Sequence, residues 1–380
     1  MAITLFSEVD KTGELRYGRD SKFQRLWYWL PDNPIASGKR KVAVFSRGGT
    51  LMNPGNGGAL SLTTSNANGI AQMLSNELDM IIVSMDYRPG GFTVPQGQDV
   101  DKLHFPEILE DFALCIQYLK GKANDETLWG AGNTLSLDPN DWFRYGTSSG
   151  GWGAGYTQLM PDGAWPYAPS GAVTTDLYLP RHNHLCNAIY LNIPQTVFST
   201  FNEGAMGHTT GYYSSYQEYS WGGAYFFDSR EVQNDPDPLW GWNKFPMDTK
   251  VSADFDEHLY NYNPRVTDAA FYLKASDLSD NIIQNQSGNV PNGFDVLYWR
   301  GAHYPSGQVA AASTGHYDLH DPWQCYWLYH RLQQLGNDKS RLRAGNSTSN
   351  PDATTRQSEY TTGDLREWLT GDLGWIHPRI

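Results

Sequence analysis

Cysteine is scarce in this chain, and its scarcity argues against two kinds of protein. The three cysteines, Cys115, Cys186 and Cys325, are far apart and odd in number. They lack the close pairing of zinc ligands and the even, regular set of a disulfide-stapled secreted domain. We therefore expect neither a disulfide framework nor a cysteine metal site, and we expect a reducing compartment.

Basic residues are also few. The chain has 28 Lys and Arg against 41 Asp and Glu, a formal net charge of -13. A surface of this sign repels nucleic acid and anionic membranes, so we predict neither as a partner. No apolar run is long enough to span a membrane. The first ten residues lack the basic and apolar regions of a secretory signal, which favours a cytoplasmic location; a mature secreted chain is the alternative.

Residues 138–151 begin with a turn-forming segment, Asp138-Pro139-Asn140-Asp141, and end in a run rich in Gly and Ser. A short apolar run, 142–145, is followed by Gly146-Thr147-Ser148-Ser149-Gly150 and by residues that suit the start of a helix. This is the pattern G-x-S-x-G of a nucleophile elbow, in which a serine lies on a tight turn between a strand and a helix. The pentapeptide alone more often marks a Gly/Ser-rich loop than an elbow, so its surroundings decide the interpretation.

The surroundings alternate between strands and helices, after an initial hairpin predicted over residues 12–31. Strands are predicted at 41–46, 80–85, 142–145, 269–275 and 294–299, and helices at 66–79, 107–120, from 149 and at 322–335. Such alternation predicts an α/β fold with a mostly parallel sheet and right-handed crossovers. We predict a loosely ordered segment over 340–360 and a surface helix over 362–370.

Residues 161–262 break this alternation, because they are rich in Gly, Pro, Asn and aromatic residues without a sustained period. We interpret them as a lid inserted into a core formed by residues 1–160 and 263–380. Aromatic side chains of the lid are candidates for substrate binding: Tyr212, Tyr216, Trp221 and Trp240. The alternative is a separately packed subdomain whose aromatic residues form its own core.

An acid and a histidine follow the elbow in the order Ser, Asp, His that α/β enzymes with a catalytic triad use. In such a triad the histidine takes the serine proton, and the carboxylate orients the histidine. Asp280 precedes a short helix and is favoured as the acid, with Asp277 as the alternative. His303 follows the predicted strand 294–299 and is favoured as the base, with His316 as the alternative.

Such a mechanism also needs hydrogen-bond donors that stabilise the oxyanion of the transition state. The strand at 41–46 runs into Arg47-Gly48-Gly49-Thr50, and paired glycines after a strand can aim backbone N–H groups at an anion. We predict that Gly48 or Gly49 and the N–H of Ser149 supply these donors. The other interpretation of residues 48–49 is a Gly-Gly loop with no role.

Several segments together resemble the α/β-hydrolase carboxylesterases: Arg47-Gly48-Gly49, Asp86-Tyr87-Arg88, Phe105-Pro106 with Glu110-Asp111, Asp138-Pro139 and Gly146–Gly151. The last part of the chain is similar to bacterial tannases and feruloyl esterases. Trp299-Arg300-Gly301-Ala302-His303 is similar to their W-x-x-x-H segment, and Gly315-His316-Tyr317-Asp318-Leu319 to their G-D-Y-D-L run. The resemblance covers roughly residues 20–160 and 265–335 and excludes the lid.

The resemblance implies a serine esterase of the α/β-hydrolase fold that needs no metal and no organic cofactor. Its partner would be a small-molecule ester, and aromatic esters are favoured over long aliphatic ones because of the lid. The oxyanion loop reads Ser-Arg-Gly-Gly-Thr where the esterases have His-Gly-Gly-Gly. Two other functions remain open: a serine peptidase or amidase on the same fold, and a non-catalytic module that binds carbohydrate or polyphenol. The sequence predicts no oligomeric state.

Overall fold

The computed structural model describes about two fifths of the chain. The described residues are 10–18, 22–32, 37–48, 62, 65–88, 107–159, 182–192, 269–274, 329, 332, 336–343 and 362–375.

Eight of the described strands form one sheet. The strands are β1 (Gly13–Arg16), β2 (Arg25–Trp29), β3 (Gly38–Arg40), β4 (Val42–Ser46), β5 (Ile81–Met85), β6 (Asn133–Leu135), β7 (Trp142–Thr147), β8 (Ala188–Asn192), β9 (Ala270–Lys274) and β10 (Arg341–Arg343). Their order in the sheet is β1-β2-β5-β4-β7-β8-β9-β10, and β3 and β6 form a separate parallel pair.

Strand directions identify the fold class. Strand β2 is antiparallel to both β1 and β5, whereas every neighbouring pair from β5 to β10 is parallel. A mostly parallel sheet with one reversed strand second from its edge, and a serine turn after the fifth strand in the sheet, is the α/β-hydrolase arrangement. The predicted fold class is therefore confirmed.

Helices cover both faces of the sheet. They are α1 (Ser65–Leu78), α2 (Glu107–Gly121), α3 (Glu126–Trp129), α4 (Ser149–Leu159) and α5 (Thr362–Glu367), which continues as a π-helical turn over Trp368–Asp372. Helix α1 packs with α5, and α2 packs with α4. The buried Arg144 of β7 donates to the carbonyls of Phe112 in α2 and Ala154 in α4, so these helices lie on its face of the sheet.

The opposite face carries a row of aromatic rings. Phe45, Tyr145, Tyr190 and Tyr272 are register partners on four successive strands, because each directly faces the next. Their ring centroids are 5.1, 5.1 and 4.8 Å apart, and Trp368 extends the row at 5.5 Å from Tyr272. Each such aromatic pair contributes about 0.5–1.5 kcal/mol of stability beyond the contribution of the apolar area that it buries. This row anchors the end of the described chain to the sheet.

Most of the predicted elements within the described residues are confirmed. The hairpin, the strands at 41–46, 80–85, 142–145 and 269–275, and the helices at 66–79, 107–120 and from 149 all form within a few residues of the predicted bounds. The strands β4 and β5 are buried at every position, as the continuous apolar runs indicated. The predicted strand 294–299 and most of the predicted helix 322–335 lie outside the described residues.

Three predictions differ from the structure. Strand β8 pairs with β7 and β9 in the middle of the sheet, although it lies within the span 161–262 assigned to the lid. Strand β10 borders β9, although 340–360 was predicted to be loosely ordered. The last helix is not confined to the surface, because its π-helical turn buries Trp368 and Leu369 in the core.

Candidate active site

Ser148 occupies a strained turn between β7 and α4. Its φ of +53° lies in the left-handed region, which only one other described residue besides glycine, Asp79, adopts. The backbone N–H of Ser148 donates to the carbonyl of Asn192 in β8 at 3.0 Å, and its own carbonyl accepts from Trp152 N–H at 3.0 Å. Hydrogen bonds on both sides therefore hold the serine in a conformation that the chain would otherwise avoid.

The two glycines of the motif are required by close packing. A Cβ atom at Gly146 would lie 2.3 Å from the carbonyl oxygen of Gly150, and one at Gly150 would lie 2.2 Å from the carbonyl oxygen of Arg47. Both distances are shorter than any real carbon–oxygen contact, and both partners are backbone atoms that cannot rotate away. The two glycines of the pattern G-x-S-x-G are therefore required because α4 lies so close to β7 and to the loop after β4 that no Cβ atom fits.

Replacement of Gly150 by alanine is expected to lower the free energy of unfolding by about 1–3 kcal/mol, because the added methyl group overlaps the Arg47 carbonyl. Gly371 provides a matched control, since a Cβ atom there meets nothing within 4 Å. The free energy of unfolding of Gly371→Ala should lie within about 0.5 kcal/mol of the wild-type value. Denaturant titration followed by circular dichroism measures both, and equal stability of the two variants would contradict the packing described here.

The turn lies where ligands bind in open α/β sheets. Strands β4 and β7 are neighbours, but the chain leaves β4 toward β5 on one side and leaves β7 toward β8 on the other. The carboxyl ends of two such strands border a crevice at the point where the strand order reverses. Gly48 follows β4 at this edge, and a Cβ atom there would lie 3.1 Å from the Cβ of Ser148. The loop after β4 therefore runs directly against the serine.

A buried ion pair between Arg47 and Asp86 holds the loop after β4 in place. Arg47 donates from Nε to Oδ1 of Asp86 at 2.7 Å and from a terminal nitrogen to the carbonyl of Gly48 at 3.2 Å. The same Oδ1 accepts the backbone N–H of Tyr87 at 3.0 Å. Because Asp86 and Tyr87 follow β5, these contacts tie the ends of β4 and β5 together beside Ser148.

Burial and the neighbouring charges together set the pKa of Asp86 and of Arg47. Burial raises the pKa of Asp86, although the charge and hydrogen bond of Arg47 oppose the shift. Burial disfavours the Arg47 cation, but the pKa of Arg47 is raised because Tyr87 and Asp86 favour its charged form. The guanidinium therefore remains protonated, and the ion pair persists above the raised pKa of Asp86 and is lost as the pH falls through it.

A second ion pair fixes the segment that follows. Arg88 donates to Asp111 of α2 from its backbone N–H at 2.8 Å and from its guanidinium at 2.9 and 3.1 Å. Gln24 donates to the same carboxylate at 2.9 Å. The resemblance included Asp86-Tyr87-Arg88 and Asp111, but sequence reasoning gave them no role. Their contacts show that they hold the end of β5 against the β1–β2 hairpin and α2.

Three of the predicted site residues come together in the structure. Ser148, Ser149 and Gly48 lie at the ends of β7 and β4, with Ser149 as the first residue of α4. The other predicted site residues lie outside the described residues and stay predictions: Gly49, Asp277, Asp280, His303, His316, Tyr212, Tyr216, Trp221 and Trp240. Sequence reasoning missed Asn192, whose carbonyl receives the Ser148 N–H. The short apolar run before it, Ala188-Ile189-Tyr190-Leu191, was a signal for that strand.

Within the described ranges, no three His, Cys, Asp or Glu side chains converge as metal ligands do. In the same ranges, no helix combines the length and the apolar character needed to cross a bilayer.

Comparisons with known proteins give matches only among solved structures. No protein-family model and no curated protein matches the chain. An esterase from the Planctomycetes species Thermogutta terrifontis, in a propionate-bound form, is 13% identical over 99% of this chain and 96% of its own, with a TM-score of 0.46. A putative carboxylesterase from Lactobacillus plantarum is 13% identical over 93% and 94% of the two chains, with a TM-score of 0.45.

A third match is longer than this chain. The protein described as bifunctional GH43-CE from Bacteroides eggerthii is 16% identical over 95% of this chain, with a TM-score of 0.44. This chain spans 35% of that protein's length. At such low identity, the roles of individual residues depend on the local geometry described above.

Proposed function

We propose that this chain hydrolyses carboxylic esters, with Ser148 as the nucleophile of an acyl-enzyme mechanism. The observation that carries the proposal is the conformation of Ser148, a buried serine held at a φ of +53° between β7 and α4. Strain at a non-glycine residue persists only where the surrounding structure enforces it, and it is concentrated at active sites. The crevice at the ends of β4 and β7 supplies the place where an ester would bind.

In the acylation step, Ser148 Oγ attacks the ester carbonyl carbon while His303 accepts the hydroxyl proton. Asp280, or Asp277 in its place, orients His303 and stabilises the imidazolium that forms. The backbone N–H of Ser149, with that of Gly48 or Gly49, donates to the oxyanion of the tetrahedral intermediate. Collapse of the intermediate breaks the bond to the alcohol, which leaves with the proton from His303.

Deacylation repeats the same steps with water. His303 takes a proton from a water molecule, and the oxygen of that water attacks the acyl carbon. The second tetrahedral intermediate is stabilised by the same N–H groups, because its oxyanion forms at the same position. Its collapse releases the carboxylic acid and returns the proton to Ser148. The chemistry needs neither a metal ion nor an organic cofactor.

The substrate class is a finer part of the proposal. The aromatic residues Tyr212, Tyr216, Trp221 and Trp240 would bind the acyl or alcohol group, which favours feruloyl- or galloyl-like aromatic esters over long aliphatic chains. A panel of acetyl, butyryl, feruloyl and galloyl esters tests this preference by comparing kcat/KM. Higher kcat/KM for butyryl than for feruloyl esters would contradict it.

A fluorophosphonate probe tests the nucleophile directly, because it reacts only with an activated serine. We expect stoichiometric labelling of the folded protein, located at Ser148 by mass spectrometry of the digested adduct. Heat-denatured protein serves as the control and should remain unlabelled. A folded protein that takes up no label would exclude the proposed mechanism and would favour the non-catalytic binding module.

A further inference from the structure

The hydroxyl group of Tyr87 lies between the two segments that the proposed mechanism uses to bind the oxyanion. It donates to the carbonyl oxygen of Arg47 at 3.0 Å, directly before Gly48. It also lies 3.3 Å from the Oγ of Ser149 at the start of α4. Because the single hydroxyl proton goes to Arg47, the Ser149 hydroxyl is the donor in the second contact. One buried oxygen therefore connects the loop after β4 with the first residue of α4.

The contact with Arg47 fixes the direction of a backbone N–H group. The carbonyl of Arg47 and the N–H of Gly48 belong to one planar peptide unit, and in a trans peptide they point in opposite directions. Gly48 has no side chain that could hold this unit in place. The orientation of the Gly48 N–H therefore depends on what binds the Arg47 carbonyl.

The Arg47 carbonyl is held from two sides. Tyr87 binds it on one side, and on the other it packs so closely against α4 that a Cβ atom at Gly150 would lie 2.2 Å away. The Ser46 hydroxyl lies 3.0 Å from the Tyr145 carbonyl and 3.1 Å from the Gly150 carbonyl, so its single proton is shared between β7 and α4 and keeps both close to the end of β4. Packing against Gly150 limits how far the carbonyl can move, whereas Tyr87 sets its direction.

Tyr87 itself is firmly placed. Its side chain is fully buried, with the Arg47 guanidinium 4.6 Å from its ring centre and the Phe112 ring 4.7 Å away. Its backbone N–H donates to Asp86, the carboxylate that also binds Arg47. Burial raises the pKa of Tyr87, so its hydroxyl remains a hydrogen-bond donor at neutral and moderately alkaline pH.

We propose that Tyr87 is a positioning residue for ester hydrolysis: its hydroxyl orients the Arg47–Gly48 peptide, and with it the Gly48 N–H, before the substrate binds. Its contact with the Ser149 hydroxyl keeps this loop next to the first residue of α4, whose backbone N–H is the other proposed donor. This inference rests on the proposed function. Preorganised donors stabilise the transition state more than the ground state, because the oxyanion exists only after attack. Tyr87 thus contributes to kcat and leaves KM nearly unchanged.

The test compares Tyr87→Phe with Tyr17→Phe. Tyr17 is a matched control because its fully buried hydroxyl donates to the Asp86 carbonyl at 2.5 Å, in the same network, and not to the Arg47 carbonyl that fixes the Gly48 N–H. For p-nitrophenyl acetate we expect Tyr87→Phe to lower kcat about 10- to 100-fold at nearly constant KM. Tyr17→Phe should lose a similar amount of thermal stability and keep kcat within about twofold.

A trifluoromethyl ketone provides a readout that loss of stability does not affect, since its hemiketal with serine carries an oxyanion. Its inhibition constant should rise in Tyr87→Phe by the same factor by which kcat/KM falls, and should stay constant in Tyr17→Phe. Equal kcat in Tyr87→Phe and the wild type, or equal losses in the two variants, would overturn the inference while leaving an active esterase. A wild type that hydrolyses no ester and takes up no fluorophosphonate would instead overturn the proposed function.

Discussion

Replacement of Ser148 by alanine is expected to lower kcat/KM for p-nitrophenyl acetate by about 10⁴-fold or more, because removal of a triad nucleophile leaves only the contribution of substrate binding and the oxyanion donors. The backbone contacts of Ser148, to Asn192 and Trp152, involve no side-chain atom and should persist in the variant. The effect is measured from the initial rates of the purified wild type and variant. Matching circular dichroism spectra show that both proteins are folded. A variant that retains a tenth of the activity would show that Ser148 is not the nucleophile.

The Ser148→Gly variant separates the loss of the nucleophile from the backbone strain at residue 148. Both variants lack Oγ, so Ser148→Gly should be as inactive as Ser148→Ala. Glycine adopts the φ of +53° without steric conflict, whereas alanine does not. We therefore expect Ser148→Gly to be more stable than Ser148→Ala by about 1 kcal/mol in denaturant titration. The opposite order would indicate that the turn relaxes when the serine is removed.

The elbow was predictable because its pattern is local in the sequence, although the carbonyl that excludes a Cβ at Gly150 belongs to the distant Arg47. Gly146, Ser148 and Gly150 lie within five residues, and the close packing that excludes a Cβ at the two glycines is the reason for the motif. The strands β4 and β5 were equally clear, since burial on both faces favours a nearly continuous apolar run.

The two strands that sequence reasoning missed were missed for different reasons. Strand β8 has a short apolar run, but it lies inside the span 161–262, whose overall Gly, Pro and aromatic content led to its assignment to the lid. Strand β10 is polar, and its stability depends on distant partners. Arg343 donates to Asp364 at 2.7 and 2.9 Å, and Arg341 donates to Asp372 at 2.6 and 2.8 Å. A three-residue strand held by charges from α5 and the turn after it cannot be inferred from its own residues.

The support of the site was missed for a related reason. Arg47, Asp86 and Tyr87 meet because β4 and β5 are parallel neighbours, and about 40 residues separate the partners along the chain. Local reasoning noticed both segments but had no means of pairing an arginine after one strand with an aspartate after another. The geometry also gives the arginine of the Ser-Arg-Gly-Gly-Thr loop a function: it binds the Gly48 carbonyl on one side and Asp86 on the other.

Removal of the general base should lower kcat/KM nearly as much as removal of the nucleophile. We expect His303→Ala to lower kcat/KM about 10³- to 10⁴-fold, because Ser148 would lose the group that accepts its proton. In the wild type, kcat/KM should fall below a pH of about 6.5, where a histidine becomes protonated and can no longer act as a base. The pH dependence of hydrolysis in the wild type and in each histidine variant measures both effects.

His316→Ala is the matched control, since His316 is the alternative base in the same part of the chain. If His303 is the base, His316→Ala should keep the acid limb of the pH profile and most of the wild-type kcat/KM. The fluorophosphonate probe adds a second criterion, because a serine without its base reacts slowly even when the fold is intact. Slow labelling in His316→Ala together with rapid labelling in His303→Ala would assign the base to His316. Because the variant that labels slowly lacks the base, the two histidines are distinguished without any assumption about the natural ester.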